Sequence, residues 1–230
     1  MEKRKTITVY HGSENIVRKP VFGNGNPRND YGLGFYCTES PDLAKEWACS
    51  EMKSGYANRY SLDMESLNAL NLSDGKYCIL HWLTILLRNR VFSVHSPVSI
   101  QGRQYLLDCF SIDTSPYDII TGYRADDSYF SFAQDFLSNT ISVRKLSEAM
   151  HLGKLGEQIV LVSKKAFSNI RYEGSEPADR SIFYPLRKQR DELARNTYFS
   201  ERGKAVFKPD DLFLIDIIRE GIKPDDPRLQ

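Results

Sequence analysis

"DYGLGFYCTES", residues 30–40, packs a glycine turn, a strand entry and a helix start into eleven residues. Gly32 and Gly34 mark a tight turn, and Phe35-Tyr36-Cys37 then enters a strand. Ser40-Pro41 follows at once: a hydroxyl N-cap, proline at the first helical position, then Leu43, Ala44 and Trp47 along one helix face. A short strand that runs straight into a capped helix implies both element types within one core.

Upstream, Thr6 to Tyr10 is rich in β-branched residues and reads as a strand that breaks on His11-Gly12-Ser13. Asn24 to Asn29 is a Gly/Asn/Pro loop. Downstream, Lys76 to Arg90 has helical spacing, with Cys78, Trp82, Ile85 and Leu86 as its apolar stripe. "YDIITGY", residues 117–123, is a short strand, and Asp127 to Leu137 and Ser142 to Met150 are helical, the second capped by Ser142. "EQIVLVS", residues 157–163, is the strongest strand in the chain.

After it, Lys164 to Ile170 and Arg187 to Phe199 read as mixed or helical segments. "DLFLIDII", residues 211–218, fits a closing strand or a helix, because a short apolar run has no distinguishing period. Strands and helices alternate without a strict βαβ rhythm, so the expected class is α+β. The expected organisation is a domain over residues 1–172, with 173–230 as a helical arm and closing element packed on it.

The 230 residues are 41% hydrophobic and 27% charged with a net charge of +1, which gives no global argument for nucleic-acid or membrane binding. Cys37, Cys49, Cys78 and Cys109 are widely spaced, without CxxC or a zinc-like Cys/His cluster, so reduced thiols and no metal are expected. No apolar signal stretch follows the charged first residues, and the longest apolar run, Tyr77 to Leu87, is too short to span a bilayer. A soluble, cytoplasmic protein is the expectation.

"YHGS", "YGLGFYCTES" with a helix behind it, and "EQIVLVS" together resemble the ADP-ribosyltransferase superfamily. The match is to the branch with histidine, tyrosine and a third polar residue in its three motifs. Within it the sequence most resembles a bacterial family catalogued as a domain of unknown function, on "YDIITGYRADDSYF", "LGEQIVLVSKKAF" and "ISVRKLSEAM". One such motif is common by chance, but three in order are fairly specific.

The resemblance implies a split β-sheet core with flanking helices. It also implies NAD as co-substrate, cleaved between nicotinamide and ribose through a transition state of oxocarbenium character. His11 would then bond a ribose hydroxyl, Gly12 would let the backbone approach the carboxamide, and Tyr36 would stack on the nicotinamide ring. Gly32 and Gly34 would shape the turn beneath that ring, and Ser13, Phe35 and Thr38 would complete the cofactor-binding motifs. The pyrophosphate needs a cation, and Arg18 and Arg28 are both candidates.

The best-known members place a glutamate at the third position. Here Glu157 and Gln158 are adjacent, and strand neighbours face opposite ways. The resemblance favours Gln158, which brings no negative charge, with Glu157 as the reserve. Asp126, or Asp127 beside it, would help from the neighbouring strand end.

Blander readings stand beside these. A lone histidine at a strand end is more often a satisfied polar residue, a tyrosine on an apolar strand is usually core, and Asp126-Asp127 suits a helix cap. His81 and His95 read as structural. Arg187, Lys188, Arg190 and Arg195 interleave with Asp191 and Glu192, the pattern of a solvated mixed-charge helix.

The leading expectation is an ADP-ribosyltransferase acting on a protein or nucleic-acid acceptor, as a bacterial toxin or anti-phage effector with an antitoxin partner. The alternatives are an NAD glycohydrolase and a non-catalytic module that binds NAD or a protein.

Overall fold

The computed structural model describes residues 5–125, 127–152, 156–202 and 208–229. Strands β1 (Thr6–Ser13), β3 (Gly55–Asp63) and β7 (Ile170–Ala178) make an antiparallel sheet in the order β1-β3-β7. Strands β2 (Phe35–Cys37), β6 (Glu157–Leu161), β5 (Ile119–Tyr123) and β4 (Ala69–Asn71) make a second sheet in the order β2-β6-β5-β4, in which β4 and β5 are parallel. The fold is α+β, as its sequence implies.

The two sheets face each other across one apolar layer, with Val9, Tyr60 and Leu62 opposite Phe35, Cys37, Ile119, Ile159 and Leu161. Alternation sends Leu70, Ile120 and Val160 to the other face of the second sheet, into the larger core beneath the helices. Helix α2 (Ile79–Asn89) is the centre of that layer. Every residue from Ile79 to Leu87 is buried, where its sequence suggests a single apolar stripe. The Trp82 indole N–H donates to the Tyr123 carbonyl at 3.0 Å and ties α2 to β5. Residues of α3 (Pro97–Cys109), α4 (Asp127–Leu137) and α5 (Val143–Ala149) fill the same core.

Helix α1 (Pro41–Ala48) starts where the motif requires: the Ser40 hydroxyl accepts from the Leu43 N–H at 3.3 Å. It covers the outer face of the first sheet. Close approach is possible because Gly12 has no side chain; a Cβ there would overlap the Ala44 carbonyl oxygen. The ambiguous "DLFLIDII" run resolves as helix α8 (Leu214–Glu220). The Asp216 carboxylate accepts from the Phe213 N–H at 3.0 Å and Asn139 Oδ1 from the Ile215 N–H at 2.9 Å, so capping decides what periodicity leaves open.

The C-terminal segment is built into the fold more deeply than an appended arm. A short helix, α6 (Lys164–Ser168), leads into β7, and the expected boundary after residue 172 falls inside that strand, which pairs with β3 at the sheet's edge. Helix α7 (Arg180–Arg202) then packs against α1 and α4. Its mixed-charge face is also not simply solvated. Arg190 forms a two-pronged pair with Glu46 at 2.7 and 3.0 Å, and Glu46 is only 2% exposed. Asp191 accepts from the Ser128 hydroxyl on α4. No described helix is long and apolar enough to cross a membrane.

Candidate functional site

β1 and β2 lie at neighbouring edges of the two sheets and touch through one backbone bridge: the N–H groups of Tyr10 and Thr38 each donate to the other's carbonyl, at 2.7 and 2.9 Å. Beyond that bridge the edges part, and a cleft of about 470 Å³ opens between them. That volume falls within the span usual for small-molecule sites, roughly 300–1,000 Å³. His11, Gly12, Gly34, Phe35, Tyr36 and Gln158 all line it.

His11 sits at the end of β1 on the same face as Val9. Its Nδ1 lies 2.7 Å from the Tyr36 carbonyl oxygen, which only accepts, so the proton is on Nδ1 and Nε2 remains as an acceptor. The imidazole rests on Phe35, ring centres 4.3 Å apart. Burial lowers its pKa below the ordinary histidine value of 6.5, against a smaller raising effect of the bond to Tyr36. The ring is neutral at pH 7.

Tyr36 alternates with Phe35 and faces the helix side. Its hydroxyl donates to the Gly32 carbonyl at 2.6 Å and accepts from the Tyr31 N–H at 3.1 Å. Burial pushes the phenol well above its usual range, so the hydroxyl stays protonated. These bonds pin the turn in which Gly32 takes φ 74°. A Cβ on Gly34 would come within 2.6 Å of Val160, so the second glycine of the motif serves the packing of β2 on β6.

Gln158 is 4% exposed and Glu157 is exposed, the alternation expected on β6. Glu157 lines a different hollow of about 450 Å³, together with Thr38, Glu39 and Ser40. Of the two neighbours, then, Gln158 shares the cleft with His11 and Tyr36. Its Nε2 donates to Asp30 Oδ2 at 3.3 Å, while its Oε1 is buried without a hydrogen-bond partner among the described residues.

Several expected cofactor contacts fall elsewhere. Arg18 and Arg28 are exposed and absent from the cleft wall. The cations that line it are Lys19, Arg90 and Arg124. Ser13 is absorbed by the following loop, donating to the Asn15 carbonyl at 2.6 Å and accepting from Asn58 at 3.0 Å. Thr38 is buried at the bridge on the far side. Asp126 lies outside the described residues, as does the side chain of Asp127.

Asp30, Arg90, Arg124 and Trp47 join the wall without a signal in the sequence. Asp30 is almost fully buried; its Oδ1 accepts from Arg90 at 2.8 Å and its Oδ2 from the Ala125 N–H at 2.9 Å. The Arg124 guanidinium stacks on the Trp47 indole at 3.6 Å. Of the described charged side chains in the wall, Lys19, Arg90 and Arg124 are basic and Asp30, paired with Arg90, is acidic.

All of these residues lie within the part of the chain that a family model matches, residues 7–172, for the family described as "Protein of unknown function (DUF3990)". The chain belongs to that family. No curated protein and no solved structure matches it.

Proposed function

We propose that the cleft binds NAD and that the protein is an ADP-ribosyltransferase, its two parted sheets forming the split core of that superfamily. The observation that carries this reading is the meeting of His11, Tyr36 and Gln158, from β1, β2 and β6, on one cleft of about 470 Å³ whose described wall carries more basic than acidic side chains. The buried, partnerless Oε1 of Gln158 is a polar atom awaiting a hydroxyl donor, and so supports the fit.

NAD brings a bond between ribose and an already cationic leaving group, so the protein's task is mainly orientation. His11 accepts a ribose hydroxyl at Nε2 without adding charge. Gln158 accepts a second hydroxyl at Oε1. The Tyr36 ring offers an aromatic wall whose tilt is fixed by its hydroxyl bonds. Lys19 and Arg124 supply positive potential for a pyrophosphate, in place of Arg18 and Arg28, while Arg90 is committed to Asp30. Gly12 is accounted for by its contact with α1, so no ligand approach is assigned to it.

The acceptor is a macromolecule, protein or nucleic acid, and the biological role is a cytoplasmic bacterial toxin or anti-phage effector restrained by an antitoxin. The test is nicotinamide release from NAD together with transfer of adenylate-labelled ADP-ribose to lysate macromolecules. Folded protein that releases no nicotinamide with protein, RNA and DNA acceptors all supplied would overturn the enzymatic reading. One observation favours a second reading, a non-catalytic NAD-binding module: the third residue is neutral, and the nearby Asp30 carboxylate is paired with Arg90. Calorimetric NAD binding without turnover selects it, while free ADP-ribose formed at a rate indifferent to acceptors selects a glycohydrolase.

A further inference from the structure

Gln158 raises a problem of handedness. A carboxamide has an acceptor end and a donor end of almost equal size, and a buried one freed to rotate would offer either end to a ligand. Here one end is committed. Nε2 faces Asp30 Oδ2 at 3.3 Å, and an ionised carboxylate only accepts, so the inverted amide would set oxygen against oxygen. Asp30 is itself fixed from two sides, by Arg90 at 2.8 Å and by the Ala125 N–H at 2.9 Å. Asn89 Nδ2 holds the Asp30 backbone carbonyl at 3.1 Å. The oxygen left over on Gln158 is the buried, partnerless Oε1.

We propose that Asp30 is a positioning residue: it locks the Gln158 amide so that the site presents an acceptor oxygen, and it thereby selects a ligand that donates a hydroxyl at that point. The inference rests on the NAD reading for the identity of the ligand, but the lock is a property of the protein alone. It also explains why the position is an amide. A glutamate in place of Gln158 would set a second carboxylate against Asp30.

The lock is tested first without substrate. In Gln158→Glu, the new carboxyl should titrate above the ordinary glutamate value of about 4.3, followed by NMR, because two adjacent carboxylates hold one proton between them. A raised folded-state value means that stability is lost as pH rises through it, so this variant should lose thermal stability toward neutral pH relative to wild type. Asp30→Asn/Gln158→Glu removes the like-charge neighbour and leaves only burial to raise the remaining carboxyl, so that pH-dependent loss should shrink markedly. With NAD, Gln158→Glu should lower kcat at neutral pH by about tenfold, the usual worth of a buried charged hydrogen bond. The double variant should recover most of that loss.

Should Gln158→Glu fail to fold, the wild-type Gln158 side-chain amide protons serve instead. They should be protected from exchange and should shift as Asp30 titrates. An ordinary titration of the introduced carboxyl, a double variant no better than the folded single one, or a freely exchanging Gln158 amide would each overturn the lock. Intact coupling in a protein that never releases nicotinamide would leave the lock standing and remove the enzymatic reading.

Discussion

At the scale of single residues, the cleft turns on which atoms are already spoken for. His11 spends Nδ1–H on the Tyr36 carbonyl, so only the neutral ring can accept at Nε2. Its depressed pKa sets the sign of the pH dependence. On the NAD reading, ligand binding and turnover should fall as pH drops below about 6.5, with a midpoint lower than that of a free histidine. Stability should fall in the same direction, because the unfolded ring takes a proton that the folded one refuses. His81 is shifted the same way, so the His11 Cε1–H resonance should be followed directly. A His11 midpoint above about 6.5, the free-histidine value, would contradict this account.

Gly12 makes a second residue-level prediction. Gly12→Ala should cost about 3 kcal/mol in urea unfolding through overpacking against α1. Loss of activity in that variant would therefore report on folding. That His11 and Tyr36 lie near one another, and that only one of Glu157 and Gln158 can share their cleft, is legible from motif order and strand alternation. Which of the two does so is not, and the preference for Gln158 rests on the resemblance. Asp30, Arg90, Arg124 and Trp47 are not legible either, since nothing in a single chain tells which distant side chains a fold will gather.

At the scale of elements, the same contrast holds. β1, β2, α1, α4, α5 and β6 announce themselves through β-branched runs, serine caps and helical spacing. β3 is silent although it is the middle strand of its sheet, because "GYANRYSLD" is broken by small and polar residues chosen for its neighbours. Gly55 must be small to admit α1, and Asn58 is spent holding the β1–β2 loop through the Val17 N–H at 3.0 Å. The charges of α7 mislead for a similar reason: their partners are far away in sequence. Arg190→Met should destabilise the fold by about 3 kcal/mol, because it leaves Glu46 buried and unpaired. Chemical denaturation of Arg190→Met beside the exposed control Arg195→Met checks it; equal, small effects would show that the Glu46 pair carries no stability.

At the scale of the whole molecule, the family match and the structural unit do not end together. The match stops at residue 172, while β7 continues to Ala178 and α7 braces α1 and α4. A fragment ending at Tyr172 should therefore lack a native, dispersed amide NMR spectrum, whereas the full chain should show one. Between the Tyr10–Thr38 clasp, a single excursion of the backbone carries His11 and Tyr36 at its neck and Lys19, Val21, Asn24 and Asp30 along its course. The turn from Gly23 to Asn26 is exposed, and through Asn24 and Gly25 it forms part of the cleft's rim beside Gly34. A residue added or removed at that turn would therefore reshape the rim of the cleft while leaving the clasp and the two side chains at the neck where they stand.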